Sequence, residues 1–271
     1  MVGGSNPFSF GQAVRRNGVC LGGKKSSDYF PLDGAECLPG SWRQTGMSLP
    51  GLSALEREIV VCRKCPRLVR WREQVARVKK AAFAEETYWG RAVPGWGDPK
   101  ARIVVVGLAP GAHGANRTGR MFTGDESGRW LYRALWKAGW GSQAKSANRE
   151  DGLQLKEVWI TSPVKCAPPT NRPTPQERDA CNGFFQREMD LLKQAKVYLA
   201  LGGFGFEAVA RYFGLKPKPK FSHGLEVKLP EGRWLIGSYH VSQQNTFTGR
   251  LTEPMLDGVM RKAAKRAGLL R

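Results

Sequence analysis

The sequence predicts an α/β fold: a three-layer α/β/α sandwich around a central, mainly parallel four-stranded sheet. Three observations point to it. Four short apolar runs, "RIVVV" (Arg102 to Val106), "VWIT" (Val158 to Thr161), "VYLAL" (Val197 to Leu201) and "WLIGSYH" (Trp234 to His240), are rich in β-branched and aromatic residues and unbroken by polar ones. Such runs suit strands buried on both faces. The intervals between them leave room for helices, and strand–helix alternation implies parallel pairing through right-handed crossovers. Helix-start signals stand in and around those intervals.

Taken in order, residues 1–50 are rich in Gly, Ser and Pro without periodicity and read as an extension, flexible or locally ordered, before a single domain over 51–271. "SALE" at Ser53 to Glu56 is a capping-box pattern, which predicts a short helix leading into Cys62. "PRLVRWREQVARVKKAAF" continues helically with basic residues spread round its surface, a solvated face or one turned to nucleic acid. "TPQE" at Thr174 to Glu177 joins an N-cap threonine, a proline at the first helical position and a glutamate three residues on, placing Cys181 in the second helical turn. "TEPMLDGVMRKAAKRAG", from Thr252 to Gly268, is a final basic amphipathic helix.

The 271 residues carry 43 lysines and arginines against 23 aspartates and glutamates, a formal net charge of +20. That excess is the electrostatic footprint of a nucleic-acid partner, with an acidic membrane surface as the alternative. No apolar run reaches the roughly 20 residues of a membrane span. Arg15 and Arg16 are followed by "NGVCLGG", not by an apolar export segment, so the expected location is cytoplasmic. Six cysteines in such a compartment are expected to be reduced. Cys62 and Cys65 form "CRKC", a metal-binding pair or a redox dithiol. With Cys166 and Cys181, four thiolates around one centre suit zinc or an iron–sulfur cluster, and the spacing does not choose.

In open parallel sheets ligands bind beyond the C-terminal strand ends. Two polar loops lie there. "GLAPGAHGANRTGRMFTGDESG" (Gly107 to Gly128) follows the first run, and "HVSQQNTFTGR" (His240 to Arg250) overlaps and follows the last. Glycines at 107, 111, 114, 119, 124 and 128 permit positive φ and close backbone approach to a ligand. The pattern matches neither dinucleotide nor phosphate-loop fingerprints, so no nucleotide cofactor is expected. Of three histidines, His113 and His240 lie in these loops.

These loops, with "CRKCPRL" and "VKCAPPTNRPTPQE", resemble the uracil-DNA glycosylase superfamily, and most closely its family 5, the iron–sulfur type-B enzymes. The likeness runs from Cys62 to the C-terminus. It implies a flipped-out base held between the loops and hydrolysis of its N-glycosidic bond. It further implies a base pocket from Gly107, Leu108, Ala109, Pro110, Gly111, His113, Asn116, Phe122, Ser162 and Asn171, and catalytic roles for Asp125 and His240. DNA contacts are expected from Arg117, Ser242, Gln243, Gln244, Asn245, Phe247 and Arg250. A 4Fe-4S cluster on Cys62, Cys65, Cys166 and Cys181 is implied over zinc, in a structural role.

Leu108 stands where many members of the superfamily carry a polar residue, so orientation of water passes to Asp125, which also suits a helix N-terminus. Ser162 replaces the asparagine of members narrowly specific for uracil, which predicts a broader pocket admitting hypoxanthine or xanthine. Asn171 supplies a replacement contact or only a turn, and Phe247 wedges the base stack or packs under its loop. The expected protein is a monofunctional, monomeric DNA glycosylase of base-excision repair acting on double-stranded DNA and leaving an abasic site. The alternative is a non-enzymatic or redox-sensing DNA-binding protein with a structural four-cysteine metal centre.

Overall fold

The computed structural model describes residues 50–270. The expected extension, with Cys20 and Cys37, lies outside the described residues apart from its last position. Helix α1 (Pro50–Val60) buries Leu52, Leu55 and Ile59 along one stripe. It begins at Pro50, one turn before the "SALE" pattern, because a proline in the first turn loses no hydrogen bond there. Helix α2 (Pro66–Val78) starts directly after Cys65 and stops where Lys79 takes a left-handed φ of 57°. The helical pattern expected through Phe83 survives beyond it only as a single 3-10 turn at Ala81–Phe83.

Strands β1 (Trp96–Gly97) and β2 (Ile103–Val106) precede a short α3 (Ala115–Thr118) and α4 (Glu126–Lys137). Strand β3 (Val158–Thr161) leads to α5 (Pro175–Leu191), whose start has both arms of the expected capping box. Then come β4 (Val197–Leu201), α6 (Gly203–Tyr212), β5 (Glu226–Lys228), β6 (Trp234–Ser238), α7 (Gln243–Phe247) and α8 (Glu253–Ala267), which ends at Gly268 as read from the sequence.

The sheet has six strands in the order β1-β3-β2-β4-β6-β5. The four expected strands form its parallel centre. The four-stranded expectation is corrected by two short antiparallel edges, β1 on β3 and β5 on β6. Neither edge is an apolar run. Gly97 earns its place by lacking a side chain, since a Cβ there would lie 2.3 Å from the Val158 carbonyl oxygen.

Register explains the layering. Ile160, Val105, Leu199 and Ile236 stand side by side across the parallel strands and face α4 and α8 through Leu131, Leu135, Val259 and Met260. The adjacent row, Trp159, Val104, Tyr198 and Leu235, faces α5 and α6 through Phe185, Met189, Phe206 and Val209. Both faces are covered, so every residue of β2, β3 and β4 is buried and the strands show no alternation. No helix of the described residues is long and apolar enough to cross a membrane.

One ion pair lies wholly inside. Lys165 Nζ donates to Glu188 Oε2 and to Thr161 Oγ1, both at 2.5 Å, and Glu188 also accepts from Thr161 Oγ1 (2.5 Å) and Trp159 Nε1 (3.0 Å). The residues on both sides of the pair are 1% exposed. Removing one partner strands a buried charge. Glu188→Ala is therefore expected to cost about 3–5 kcal/mol, and the paired change Lys165→Met with Glu188→Leu much less. Denaturant unfolding of both variants checks this; equal losses would show that the charge itself is not what matters.

Candidate active site

The site grows from the C-terminal ends of β2, β4 and β6. Gly107 ends the first of these, and a Cβ there would come within 2.7 Å of Phe122 Cζ, so the Phe122 ring lies directly against the loop backbone. Phe122 itself holds a left-handed φ of 54°, unfavourable for a bulky residue. Its ring centroid is 6.1 Å from that of His240, with the planes tilted by 34°. His240 in turn lies beside Gly202, where φ is +89° and an added Cβ would be 3.2 Å from the His240 Cβ. Gly107, Phe122 and His240 thus stand together at the strand ends.

Asp125 faces the same loop with two differently used oxygens. Oδ1 accepts the Gly128 N–H at 2.9 Å and caps α4. Oδ2 lies against the backbone of Gly111 and Gly114, where added Cβ atoms would stand 3.0 and 2.0 Å away. The capping role raised by the sequence therefore falls on Oδ1. Burial pushes the Asp125 carboxyl above its usual range, opposed by the Gly128 N–H and by Arg117.

His240 has a partly exposed side chain yet deep surroundings, and burial pushes its imidazole down to about 4. It is a neutral N–H donor near neutral pH. His113 Nδ1 lies 3.0 Å from the Tyr88 hydroxyl, which itself accepts the Lys80 N–H at 3.3 Å. Burial, with Lys80 and Arg117, lowers the His113 pKa as well.

Other expected residues take other places. Asn116 is fully buried; its Nδ2 donates to the carbonyls of Arg72 (3.2 Å) and Ala112 (3.4 Å), tying α3 to α2 and to its own loop, while its Oδ1 is buried with no hydrogen-bond partner among the described residues. Arg117, expected on DNA, is 7% exposed, and its guanidinium is bonded inside the protein. Ser162 is buried, its hydroxyl donating to the Val164 carbonyl (2.8 Å) with Met121 Sδ at 3.6 Å. Asn171 is an exposed turn residue with φ 56°. Leu108, Ala109 and Gly111 are half-buried and Pro110 is buried.

The second loop folds into α7. Asn245 donates to the His240 carbonyl (2.8 Å), an internal bond where a DNA contact was expected, while Gln243, Gln244 and Arg250 are exposed and Ser242 is half-buried. Phe247 is 72% exposed, which removes the option of packing beneath the loop. The Arg250 guanidinium carbon lies 4.7 Å from the Tyr239 ring centroid.

Cys62, Cys65, Cys166 and Cys181 line one pocket together with Leu68, Val69 and Phe184. Among the described residues, no three His, Cys, Asp or Glu side chains stand ready to hold a metal ion. Arg72 Nη1 donates to Cys166 Sγ at 2.9 Å and Nη2 to the Cys62 carbonyl at 2.9 Å, and the Lys165 N–H approaches Cys181 Sγ at 3.4 Å. Burial pushes the Cys166 thiol up to about 11 and the Cys181 thiol up to about 12. Arg72 was read as part of a basic surface but is 1% exposed. Its spacing with Leu68, Val69 and Val75 on the buried face of α2 was the available signal. Tyr88 sits in an irregular segment with no periodicity to single it out.

With this sheet and this loop arrangement in place, comparison with known families is decisive: the model of the uracil DNA glycosylase superfamily matches residues 94–264, and the chain belongs to it. Within it, the likeness is to type-5 members. The chain is 53% identical over 214 residues to the type-5 uracil-DNA glycosylase of Mycobacterium tuberculosis, covering 78% of this chain and 80% of that one. It is 52% identical over 217 residues to the type-5 uracil-DNA glycosylase of Thermus thermophilus, covering 80% and 98%. Identity to the type-4 uracil-DNA glycosylase of Archaeoglobus fulgidus is 30% over 169 residues, covering 62% and 68%.

A histidine neutral in the folded state must gain its proton on unfolding in acid. His240 is therefore expected to titrate near about 4 by NMR, and its share of stability to be lost as pH falls from about 6.5 towards that value. A midpoint near the ordinary histidine value would show that the ring is solvated.

Proposed function

We propose that this chain is a monofunctional DNA glycosylase that removes uracil, and with it hypoxanthine or xanthine, from double-stranded DNA in base-excision repair. The observation that carries the reading is Asp125 Oδ2, held against Gly111 and Gly114 at the strand ends while Oδ1 caps α4. Hydrolysis breaks the C1′–N bond, leaving the bonding pair on the base and positive charge on the sugar. Water adds to C1′ and gives up a proton. In this reading Asp125 accepts that proton after orienting the water, and its carboxylate charge stabilises the oxocarbenium-like sugar. His240, neutral, donates an N–H to the oxygen of the departing base, as preorganised donors do for developing oxyanions. Phe122 offers a ring face for the flipped base.

Breadth of substrate follows from Ser162, whose proton is committed to the Val164 carbonyl. No side-chain amide at that position selects the uracil edge. The duplex is met by α7, with Phe247 as a wedge in the stack, Gln243 and Gln244 for orphaned bases, and Arg250 for phosphate. The net charge of +20 supports this partner. A monomer suffices for these contacts.

The four cysteines are proposed to hold a 4Fe-4S cluster. They share one pocket, and the Arg72 guanidinium and Lys165 amide donate to sulfur as they would to thiolates. Bound there, the cluster supplies a crosslink between the α1–α2 turn, the segment after β3 and α5. Hydrolysis uses no electrons, so the role is structural. A non-enzymatic DNA-binding protein would leave the walled-in Asp125 oxygen without a purpose.

Single-turnover assays on duplexes carrying uracil or hypoxanthine, with alkali to reveal abasic sites, are expected to show release of both; release of neither overturns the reading, and uracil alone overturns the broad pocket. Asp125→Asn, which retains a capping oxygen, is expected to slow release at least about tenfold, or roughly 1.4 kcal/mol of barrier, at unchanged folding. An unchanged rate removes Asp125 from the chemistry. Cys166→Ser is expected to lose visible absorbance and solubility, and a full cluster in that variant would strike Cys166 from the ligand set.

A further inference from the structure

Arg117 belongs to the glycine-rich loop, yet its head group is turned inward. Nε donates to the His113 carbonyl at 2.8 Å and Nη2 to the Gly124 carbonyl at 2.7 Å, while Nη1 pairs with the Glu86 carboxylate. The Phe83 ring centroid lies 3.9 Å from the guanidinium carbon. Each of the three guanidinium nitrogens has a partner inside the protein. The two carbonyls it joins are far apart in the loop, and each stands one residue before a member of the close approach: His113 immediately precedes Gly114, and Gly124 immediately precedes Asp125. Gly114 is the residue whose missing Cβ admits Asp125 Oδ2, and a Cβ on Gly124 would lie 2.4 Å from Arg117 Nη2.

We propose that Arg117 is the positioning residue for Asp125: one planar guanidinium fixes the gap between the Gly114 backbone and the Asp125 carboxylate, and so the reach of Oδ2. The inference rests on the catalytic reading of Asp125 given above. A guanidinium bridges two fixed carbonyls by its rigid fork, which an ammonium lacks. Charge alone is not enough for this role. By contrast, a phosphate contact is tolerant of lysine and reveals itself in salt dependence.

The test uses the full chain with Arg117→Lys, Arg117→Gln and Glu86→Ala. Three quantities are measured: hydrogen exchange over residues 111–128, the single-turnover rate of uracil release with enzyme in excess, and the Kd for undamaged duplex against salt. Both Arg117 variants are expected to exchange faster, to lose at least about tenfold in rate, and to keep Kd within about twofold with the salt slope unchanged. A wild-type rate in Arg117→Lys, or a weakened Kd with a shallower salt slope in Arg117→Gln, makes Arg117 a DNA contact and overturns the proposal. Should neither Arg117 variant fold, Glu86→Ala, which removes the half-exposed outer partner altogether, is expected to give the same changes at about two- to threefold, and wild-type exchange and rate there overturn it. The exchange measurement needs no activity. A wild-type chain that releases no base defeats the function proposed above, while exchange still decides whether Arg117 sets the loop.

Discussion

The site depends on one close approach, in which a carboxylate oxygen occupies the volume that a side chain at position 114 would fill. Asp125 Oδ2 stands 2.0 Å from that missing Cβ, a distance no alanine could tolerate without movement of the loop. The other oxygen is bound to the first turn of α4, and α4 is anchored in the core by Leu131 and Leu135. The position of the carboxylate is therefore inherited from the sheet through a helix, and the glycines are what let the loop close on it. Electrostatics follow from the same enclosure. Burial raises the Asp125 carboxyl and lowers the His240 imidazole, so each group is biased towards its uncharged form.

Two polar networks hold the surrounding segments in register. The Lys165–Glu188 pair joins the segment after β3 to α5 and to the strand itself through Thr161 and Trp159. Its neighbour Cys166 receives Arg72, whose own carbonyl accepts from Asn116 in the glycine-rich loop. The cysteine pocket and the glycine-rich loop are thus linked through a single arginine on α2. Buried charge of this kind adds little net stability when paired, but it penalises any alternative arrangement that separates the partners.

The arginines of "GANRTGR" illustrate how charge is divided. Arg117 serves the loop from inside, and Arg120 is bonded to both oxygens of Asp151 and to Ser146 and lies 4.5 Å from the Trp96 ring centroid. Neither adds to the exposed positive charge. The exposed tip of α7 instead combines an apolar Phe247 with glutamines, a composition suited to entering a base stack more than to neutralising phosphate.

The four central strands, the α5 capping box, the final helix and the two polar loops were all legible in the sequence, because each is written in local terms: an apolar run, a cap, a cluster of glycines. The edge strands were not, since Trp96–Gly97 and Glu226–Lys228 pair only because a neighbouring strand offers its edge. The same holds within the site. Asp125 and His240 were nominated through the family resemblance of their loops, but the sequence could not say that Arg117 and Asn116 turn inward, that Ser162 bonds its own chain, or that Tyr88 meets His113. Those outcomes depend on which carbonyl lies across a gap, and that is decided only when distant segments pack.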